Sequence, residues 1–126
     1  MNLLNIFKDT DDHIDFPAGA IIFEQGATGD FMYVIIVGEV ELSLHDVSLG
    51  TASVGDIVGE MALLESNERS ATAAAKTDCI LAPIDRHSFE LLIRHTPKFA
   101  LHVMNILADR LRLANATIAS VNSEPG

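Results

Sequence analysis

The chain has 126 residues, of which 48% are hydrophobic, and this suits one packed core, so we predict a single domain over residues 1–126. Eight lysines and arginines stand against 18 acids, for a formal net charge of −10. We therefore expect no binding to nucleic acid, whose phosphates require clustered cations. The sequence has no apolar run of about 18 residues, which argues against a membrane span. Cys79 is the single cysteine, so no internal disulfide can form, and a cytoplasmic protein is the simplest expectation.

Residues 1–12 form a short N-terminal segment with one lysine, several acids and no apolar core of the kind that a signal peptide needs. Between residues 13 and 85, glycines separate short apolar runs, a pattern typical of strands joined by turns. The clearest strand-like pieces are IIFEQG, MYVIIVG, VELSL, IVGE and ILAPID. Many short strands at this spacing predict a β-sandwich or β-barrel rather than alternating strands and helices.

The stretch GEMALLESNERSATAAA, residues 59–75, carries the candidate chemistry. Gly59 permits a close backbone approach, and a helical turn beginning at Glu60 would present free N–H groups to an anion. Arg69 could bind a phosphate with two N–H groups, and Thr72–Ala75 is predicted as the next strand. The Glu60 carboxylate suits a neutral hydroxyl, such as a sugar 2′-OH. The same spacing also fits an ordinary ion pair between Glu60 and Arg69, and the residues alone favour that interpretation.

Beyond residue 86 glycine is absent until the last position, and the apolar spacing becomes helical, so we predict helices over residues 86–122. In the first helix, Phe89, Leu92 and Ile93 fall on one face. Pro97 ends this helix, because the residue before a proline is pushed out of the helical region. The same proline suits the first turn of a second helix.

The second helix is predicted to be long, and its apolar residues recur at alternating spacings of three and four, as in helices that pair through a heptad seam. The seam residues are Met104, Leu107, Leu111, Ala114, Ile118 and Val121. Packing on the strands would also explain an apolar face. Because further apolar residues widen this face, we predict a helix that packs on the strands and also pairs with a second copy. Residues 123–126 are predicted to be a solvated tail.

The stretch at 59–72 resembles the phosphate-binding cassette of the cyclic nucleotide-binding domain family, in which a Gly-Glu-x-Ala-Leu turn precedes an Arg-(Ser/Ala/Thr)-Ala-Thr segment. Here these are GEMAL at 59–63 and RSAT at 69–72. The likeness covers roughly residues 14 to 118, including FPAGAIIFEQGATGDFMYVIIVGEVELSL and FELLIRHTPKFALHVMNILADRLRLAN. The run ERSA at 68–71 is similar to the bacterial catabolite activator branch, which senses cyclic AMP.

The resemblance implies a mainly β fold with α: an eight-stranded β-roll, of the double-stranded β-helix or jelly-roll type, flanked by helices and with a long C-terminal helix. It implies that Glu60 accepts a hydrogen bond from the ribose 2′-OH and that Arg69 pairs with the phosphate. The base contact of the activator branch falls at Ala114 and Asn115. The implied ligand-binding residues are Val58, Gly59, Glu60, Met61, Ala62, Arg69, Ser70, Ala71 and Asn115.

These features predict a stand-alone regulatory domain that binds cyclic AMP, with cyclic GMP as a second candidate, and that acts as a switch rather than an enzyme. We expect no cofactor, no metal and no helix-turn-helix for DNA. The output would pass to a second copy through the C-terminal helix or to an unidentified effector protein. Two alternatives stay open: a degenerate β-roll that binds only protein partners, and a cupin-like metal enzyme. The latter is disfavoured because the five histidines include no H-x-H pair.

Overall fold

The computed structural model describes residues 12–60 and 68–123, with side chains described up to residue 112. This part of the chain forms strands first and then two helices, in the order that the sequence predicts. The strands are β1 (Ile14–Phe16), β2 (Ile21–Phe23), β3 (Phe31–Val37), β4 (Val40–Leu44), β5 (Val47–Ala52), β6 (Ile57–Val58), β7 (Thr72–Ala75) and β8 (Cys79–Asp85). The helices are α1 (Arg86–His95) and α2 (Pro97–Ser123).

The strands form two four-stranded antiparallel sheets, ordered β1-β8-β3-β6 and β2-β7-β4-β5. Strands that follow one another in the chain mostly lie in different sheets, so the chain winds from one sheet to the other, as in jelly-roll folds. The longest pairing joins β3 to β8, from Phe31 opposite Asp85 to Val37 opposite Ile80. The prediction of a mainly β fold, an eight-stranded β-roll with flanking helices, is confirmed.

Two apolar clusters hold these layers together, and the strands of the first sheet contribute to both because successive side chains point to opposite faces. Between the two sheets lies a cluster made of Ile35, Val40, Ala52, Val58, Ala73, Ala75, Cys79 and Leu81. On the other face of the first sheet, the helices close a second cluster made of Met32, Val34, Ile57, Ala82, Ile84, Phe89, Phe99 and Val103. The first sheet is therefore a middle layer between the second sheet and the helices.

Helix α1 begins where the sequence predicts. Asp85 is its N-cap and accepts a hydrogen bond from the backbone N–H of Ser88 at 2.7 Å. Phe89 packs into the helix-side cluster with Leu92 beside it, but Ile93 is 37% exposed. The three residues share one side of the helix, since Leu92 and Ile93 are three and four positions from Phe89, but Ile93 is not part of the cluster.

Helix α2 begins at Pro97 and, within its described side chains, packs on the first sheet through residues that include only Leu107 of the heptad seam. Phe99 and Val103 are buried, and Leu107 packs beside them, whereas Met104 and Leu111 are 60% and 62% exposed. The side chains of the remaining seam residues lie outside the described residues. Across the described ranges, none of the helices combines the length and the apolarity needed to cross a membrane.

Candidate ligand-binding site

The backbone of Arg69 is fixed by the loop between β2 and β3. Arg69 donates its N–H to the Ala27 carbonyl at 2.8 Å, and its carbonyl accepts from the N–H of Gly26 at 2.8 Å. An isolated bridge between Thr28 and Glu68 continues this pairing. The glycine-rich sequence GATG at 26–29 can follow the neighbouring segment closely, so the loop places Arg69 at the entrance of β7.

Two glycines and an aromatic ring enclose the Arg69 guanidinium. A Cβ on Gly29 would overlap the guanidinium, and a Cβ on Gly59 would lie 2.5 Å from Nη1. The Cζ atom lies 4.2 Å from the centroid of the Phe23 ring, close enough for a cation–π interaction. Gly59 also has a φ of 80°, which disfavours any other residue. The slot around Arg69 therefore depends on glycine at both positions.

The guanidinium is buried without enough hydrogen-bond partners. Arg69 is 4% exposed, its Nη1 donates to the Gly59 carbonyl at 3.2 Å, and its Nε has no partner among the described residues. Loss of solvation lowers the pKa of Arg69, and interactions with Tyr33, Asp30 and Glu60 offset only part of this effect. A buried cation with unused donors is costly in free energy. The site thus has the electrostatic character of an anion site.

Glu60 does not form the ion pair with Arg69 that the residues alone favour. Glu60 adopts helical backbone directly after Gly59 and is 5% exposed. Its Oε1 accepts a hydrogen bond from Arg110 Nη1 on α2, and Arg110 Nη2 donates to the Ile57 carbonyl. The pair tethers α2 to the end of β6. The other carboxylate oxygen, Oε2, has no hydrogen-bond partner among the described residues.

Arg110 is a residue of this site to which sequence reasoning assigned no role. It follows Phe99, Val103 and Ile106 at helical spacing, on the face of α2 that packs on the β-roll. A cation on such a face needs a carboxylate or carbonyl partner, because it would otherwise be buried without compensation. The position of Arg110 on the apolar face of the predicted helix was therefore the feature of the sequence that could have identified it. The partner itself could not be deduced, since Glu60 precedes Arg110 by 50 positions.

These residues open onto one cavity of about 410 Å³, within the range of small-molecule sites. Its polar end is formed by Glu60, Arg69, Ser70 and Arg110, with Gly59 and Ala71 beside them. Its apolar walls come from Phe23, from the β4–β5 hairpin and from α2, where the contributors are Leu42, Leu49, Leu107 and Leu111. The cavity can accept a molecule with an anionic or polyhydroxyl end and a flat apolar end.

The residues proposed as ligand contacts divide into three groups. Five of them line the cavity: Gly59, Glu60, Arg69, Ser70 and Ala71. Val58 lies at the end of β6 with its side chain fully buried between the two sheets, so this side chain is part of the core and not of the cavity wall. Met61, Ala62 and the side chain of Asn115 lie outside the described residues.

Metal chemistry finds no support in the same region. Among the described side chains, those of residues 12–60 and 68–112, no group of three or more histidine, cysteine or carboxylate side chains is placed to hold a metal ion. The cavity wall instead combines a buried arginine, a carboxylate and leucines. A β-roll that carries this combination in one cavity defines a class of small-molecule binding domain rather than a cupin-like metal site.

Comparison with known proteins specifies the class. The family model described as cyclic nucleotide-binding domain matches residues 13–96, more than half of the chain. The chain belongs to the cyclic nucleotide-binding domain family. It is 41% identical over 87 residues to the cAMP-dependent protein kinase regulatory subunit of Aspergillus fumigatus, a match that covers 68% of this chain and 21% of that protein. It is 34% identical over 114 residues to the cyclic AMP receptor protein of Thermus thermophilus, covering 86% and 53% of the two.

Comparison with solved structures supports the same family. The crystal structure of the Thermus thermophilus catabolite activator protein superposes with a TM-score of 0.75 and 33% sequence identity, covering 87% of this chain and 54% of that one. The chain thus spans about half, or less, of the length of these relatives. The likeness therefore concerns one part of each of these longer proteins.

Proposed function

We propose that the chain binds a cyclic nucleotide, cyclic AMP first and cyclic GMP as a second candidate, and that it acts as a regulatory switch without catalytic activity. The observation that carries this proposal is the buried guanidinium of Arg69 at the polar end of the cavity, whose Nε has no hydrogen-bond partner among the described residues and can donate to an anion. The names of the relatives, a cAMP-dependent kinase regulatory subunit and a cyclic AMP receptor protein, support the choice of ligand.

In the proposed complex the phosphate lies at Arg69, where a singly charged phosphodiester would compensate the buried guanidinium. Ser70 and Ala71 lie beside it on the cavity wall. In this proposal Oε2 of Glu60, to which no described residue donates, accepts a hydrogen bond from the ribose 2′-OH, a neutral donor that a carboxylate can bind without repulsion. Backbone groups near Gly59, together with Met61 and Ala62, complete the phosphate contacts in this proposal.

The purine would occupy the apolar end of the cavity. Leu49 and Leu111 are 56% and 62% exposed although both line the cavity, so a flat ring placed between them would remove apolar surface from water. Asn115, one turn beyond Leu111 on α2, is the proposed hydrogen-bond partner of the base. The apolar walls contribute shape and apolar contact to the base. Adenine and guanine can both make these contacts, so the walls do not select cyclic AMP over cyclic GMP.

The switch in this proposal is the position of α2. Arg110 ties the helix to Glu60 through Oε1, and the ribose would use the second oxygen of the same carboxylate. A ligand can shift an equilibrium between helix positions only by binding one position more tightly. We propose that the nucleotide favours the docked position, in which Arg110 holds Glu60 in the orientation that the ribose needs.

The signal would then pass through α2 to a second copy of the chain or to an effector protein. The exposed side of the helix carries Leu101 and Met104, 59% and 60% exposed, which makes it the proposed pairing surface. Residues 1–126 are proposed to act as one domain. The cytoplasmic location, which rests on the single cysteine, stays a prediction.

Isothermal titration calorimetry with cyclic AMP, cyclic GMP and adenosine tests the proposal, since adenosine lacks the phosphate. We expect saturable binding of the cyclic nucleotides and weak or no binding of adenosine. Absence of binding of both nucleotides at millimolar concentration would favour the alternative of a protein-interaction module. Hydrolysis of either nucleotide during the titration would contradict a purely regulatory role.

The binding free energies of two alanine variants test whether Arg69 and Glu60 bind the nucleotide. Arg69→Ala should cost roughly 2–5 kcal/mol of binding free energy, the range for removing one partner of a buried charge pair. Glu60→Ala should cost about 1–3 kcal/mol, as for one lost buried hydrogen bond. Arg94→Ala is the matched control, because Arg94 is an exposed arginine on α1 away from the cavity. Unchanged calorimetry for Arg69→Ala would show that the phosphate lies elsewhere.

A further inference from the structure

The turn of the β4–β5 hairpin is held by a side chain from the loop between β2 and β3. Strand β4 pairs with β7 as far as Ser43, which lies opposite Thr72, and within the described residues β5 pairs with no strand other than β4. The turn at residues 45–46 lies beyond this pairing. There the backbone N–H of His45 donates to Oε1 of Gln25 at 3.2 Å. No other hydrogen bond of the described residues joins the turn to a part of the chain outside the hairpin.

The backbone of Gln25 is fixed to the segment that carries Arg69. The N–H of Gln25 donates to Oγ1 of Thr72 at 3.0 Å. The following residue, Gly26, donates its N–H to the Arg69 carbonyl at 2.8 Å. Gln25 therefore joins two parts of the cavity: its backbone is bound to the segment at the polar end, and its side chain reaches the hairpin that contributes to the apolar wall.

The residue that β5 brings to the cavity wall is Leu49. Gly50 pairs with Leu42 and Ser48 pairs with Ser43, so Leu49 is an additional residue in β5, which makes this point of the strand a β-bulge. Leu49 lines the cavity although it is 56% exposed. Because β4 is the strand that holds β5 in the sheet, a displacement of the hairpin turn would also displace Leu49.

We propose that Gln25 is a positioning residue for ligand binding, which sets the place of Leu49 relative to Arg69. Gln25 is not one of the described residues that line the cavity, so it acts through the residues that it holds. Without its side-chain hydrogen bond the hairpin turn would adopt further positions, and the affinity would fall in proportion to the fraction of molecules with the wall in place. The inference rests on the proposed function, because it concerns a nucleotide that extends from Arg69 to the apolar wall.

Gln25→Met tests the role of the side chain, because methionine has a similar length but no amide oxygen, and the backbone N–H to Thr72 is kept. The full chain is titrated calorimetrically with cyclic AMP, or with cyclic GMP if that nucleotide binds the natural chain more tightly. We expect about fivefold weaker binding, as for the loss of one net hydrogen bond. Exchange of the His45 amide hydrogen with solvent should become faster, since its acceptor is removed.

Asp46→Asn is the matched control. It changes the neighbouring turn residue but keeps both the donor and the acceptor of the hydrogen bond, and asparagine tolerates the φ of 65° at this position. The affinity should change by less than about twofold. If the natural chain binds the nucleotide and Gln25→Met binds it equally well, this inference alone is overturned. If the natural chain binds neither nucleotide, the proposed function is overturned together with the inference.

A double-mutant cycle with Leu49→Ala separates positioning from general damage to the fold. If Gln25 acts through Leu49, then Gln25→Met in the Leu49→Ala background should weaken binding by less than about twofold, because the side chain that it positions has been removed. Circular dichroism and chemical denaturation verify that all variants fold. An equal loss from Gln25→Met in both backgrounds would show that the variant acts independently of Leu49, for example on the segment of Arg69, and would overturn the proposal.

Discussion

Arg69 is held in an unfavourable environment that only glycines make possible. Its guanidinium lies between Gly29 and Gly59 and over the ring of Phe23, with one hydrogen bond to a backbone carbonyl. The aromatic ring stabilises the cation by about 0.5–2 kcal/mol, less than full hydration would provide. An anion that enters the cavity therefore gains affinity from a cation that is already oriented and already desolvated.

We expect Gly29→Ala to lower the affinity for the cyclic nucleotide indirectly, through displacement of Arg69. The φ of Gly29 is not in the left-handed region, so the backbone itself tolerates alanine, but the new Cβ would overlap the guanidinium of Arg69. Calorimetry should show at least about a tenfold loss of cyclic nucleotide affinity, as for a displaced binding group.

The double variant Gly29→Ala with Arg69→Ala provides the control. In that background the alanine at position 29 meets no guanidinium, so the loss should be no greater than for Arg69→Ala alone, a non-additive result expected for groups in contact. Additive losses would mean that Gly29→Ala acts elsewhere, for example on the loop that follows Gly26.

Individual residues of the site could be predicted where they belong to a local sequence motif. Arg69 stood out because it is the only lysine or arginine in the sequence between Lys8 and Lys76, and Glu60 because it directly follows a glycine; both line one cavity. Their relation was not predictable, because the ion pair that a separation of nine positions allows is replaced by a pair between Glu60 and Arg110, 50 positions away. Only the tertiary packing of α2 on the first sheet brings that arginine to the carboxylate.

Among the elements, helix α1 depends on its N-cap. Asp85 accepts the Ser88 N–H, and this hydrogen bond lowers the pKa of the Asp85 carboxyl below its ordinary value. Since the folded pKa is the lower one, the stabilisation is present above the ordinary carboxyl pKa and disappears as the pH falls through the folded value. Asp85→Ala should cost about 1 kcal/mol in the free energy of unfolding at neutral pH.

Chemical denaturation at several pH values measures this effect. The difference between the natural chain and Asp85→Ala should shrink as the pH falls below the ordinary carboxyl range of about 4. Asp85→Asn is the matched control, since asparagine caps a helix about as well without a titrating group. A difference that stays constant down to acid pH would contradict the cap as the cause.

The β4–β5 hairpin carries avoidable strain. Its turn residues His45 and Asp46 have φ values of 50° and 65°, a left-handed conformation that favours asparagine and glycine. His45→Asn with Asp46→Gly should raise the free energy of unfolding by about 1 kcal/mol. Thermal denaturation should show a higher Tm for this pair. Asp46→Ala is the contrasting variant and should give no gain, because alanine keeps the Cβ that opposes the left-handed region.

The helices show what a one-dimensional pattern can and cannot predict. The break at Pro97 and the beginning of α1 follow from local chemistry, and both lie where they were predicted. The buried face of α2 does not follow from the heptad seam, because Phe99 and Val103 pack on the first sheet while Met104 and Leu111 are exposed. When a helix has apolar residues on two sides, its sequence does not show which side packs on the strands of the same chain.

At the scale of the whole molecule, the exposed side of α2 predicts self-association. Replacing Leu101 and Met104 together by glutamate should convert a dimer into a monomer, because two charges would be placed in the proposed apolar interface. Analytical ultracentrifugation over a range of concentrations measures the change. Val47→Glu is the control, since Val47 is 65% exposed on β5. A monomeric natural chain at all concentrations would contradict pairing through α2.

The overall architecture was predictable because strand-sized apolar runs and glycine turns fill residues 13–85 and a helical pattern follows them. The family resemblance supplied the topology that this alternation alone left open. The strand order, β1-β8-β3-β6 beside β2-β7-β4-β5, joins segments far apart in the chain, and no local signal encodes such pairings.

The shared carboxylate of Glu60 has a thermodynamic consequence. One oxygen binds Arg110 on α2, and in the proposed complex the other binds the ribose, so occupancy at one position affects affinity at the other. Such coupling is reciprocal by necessity. If the nucleotide increases the equilibrium constant for docking of α2 by some factor, a partner that holds α2 in the docked position increases the affinity for the nucleotide by the same factor. The cellular sensitivity to the nucleotide would then be set jointly by this chain and by the abundance of its partner.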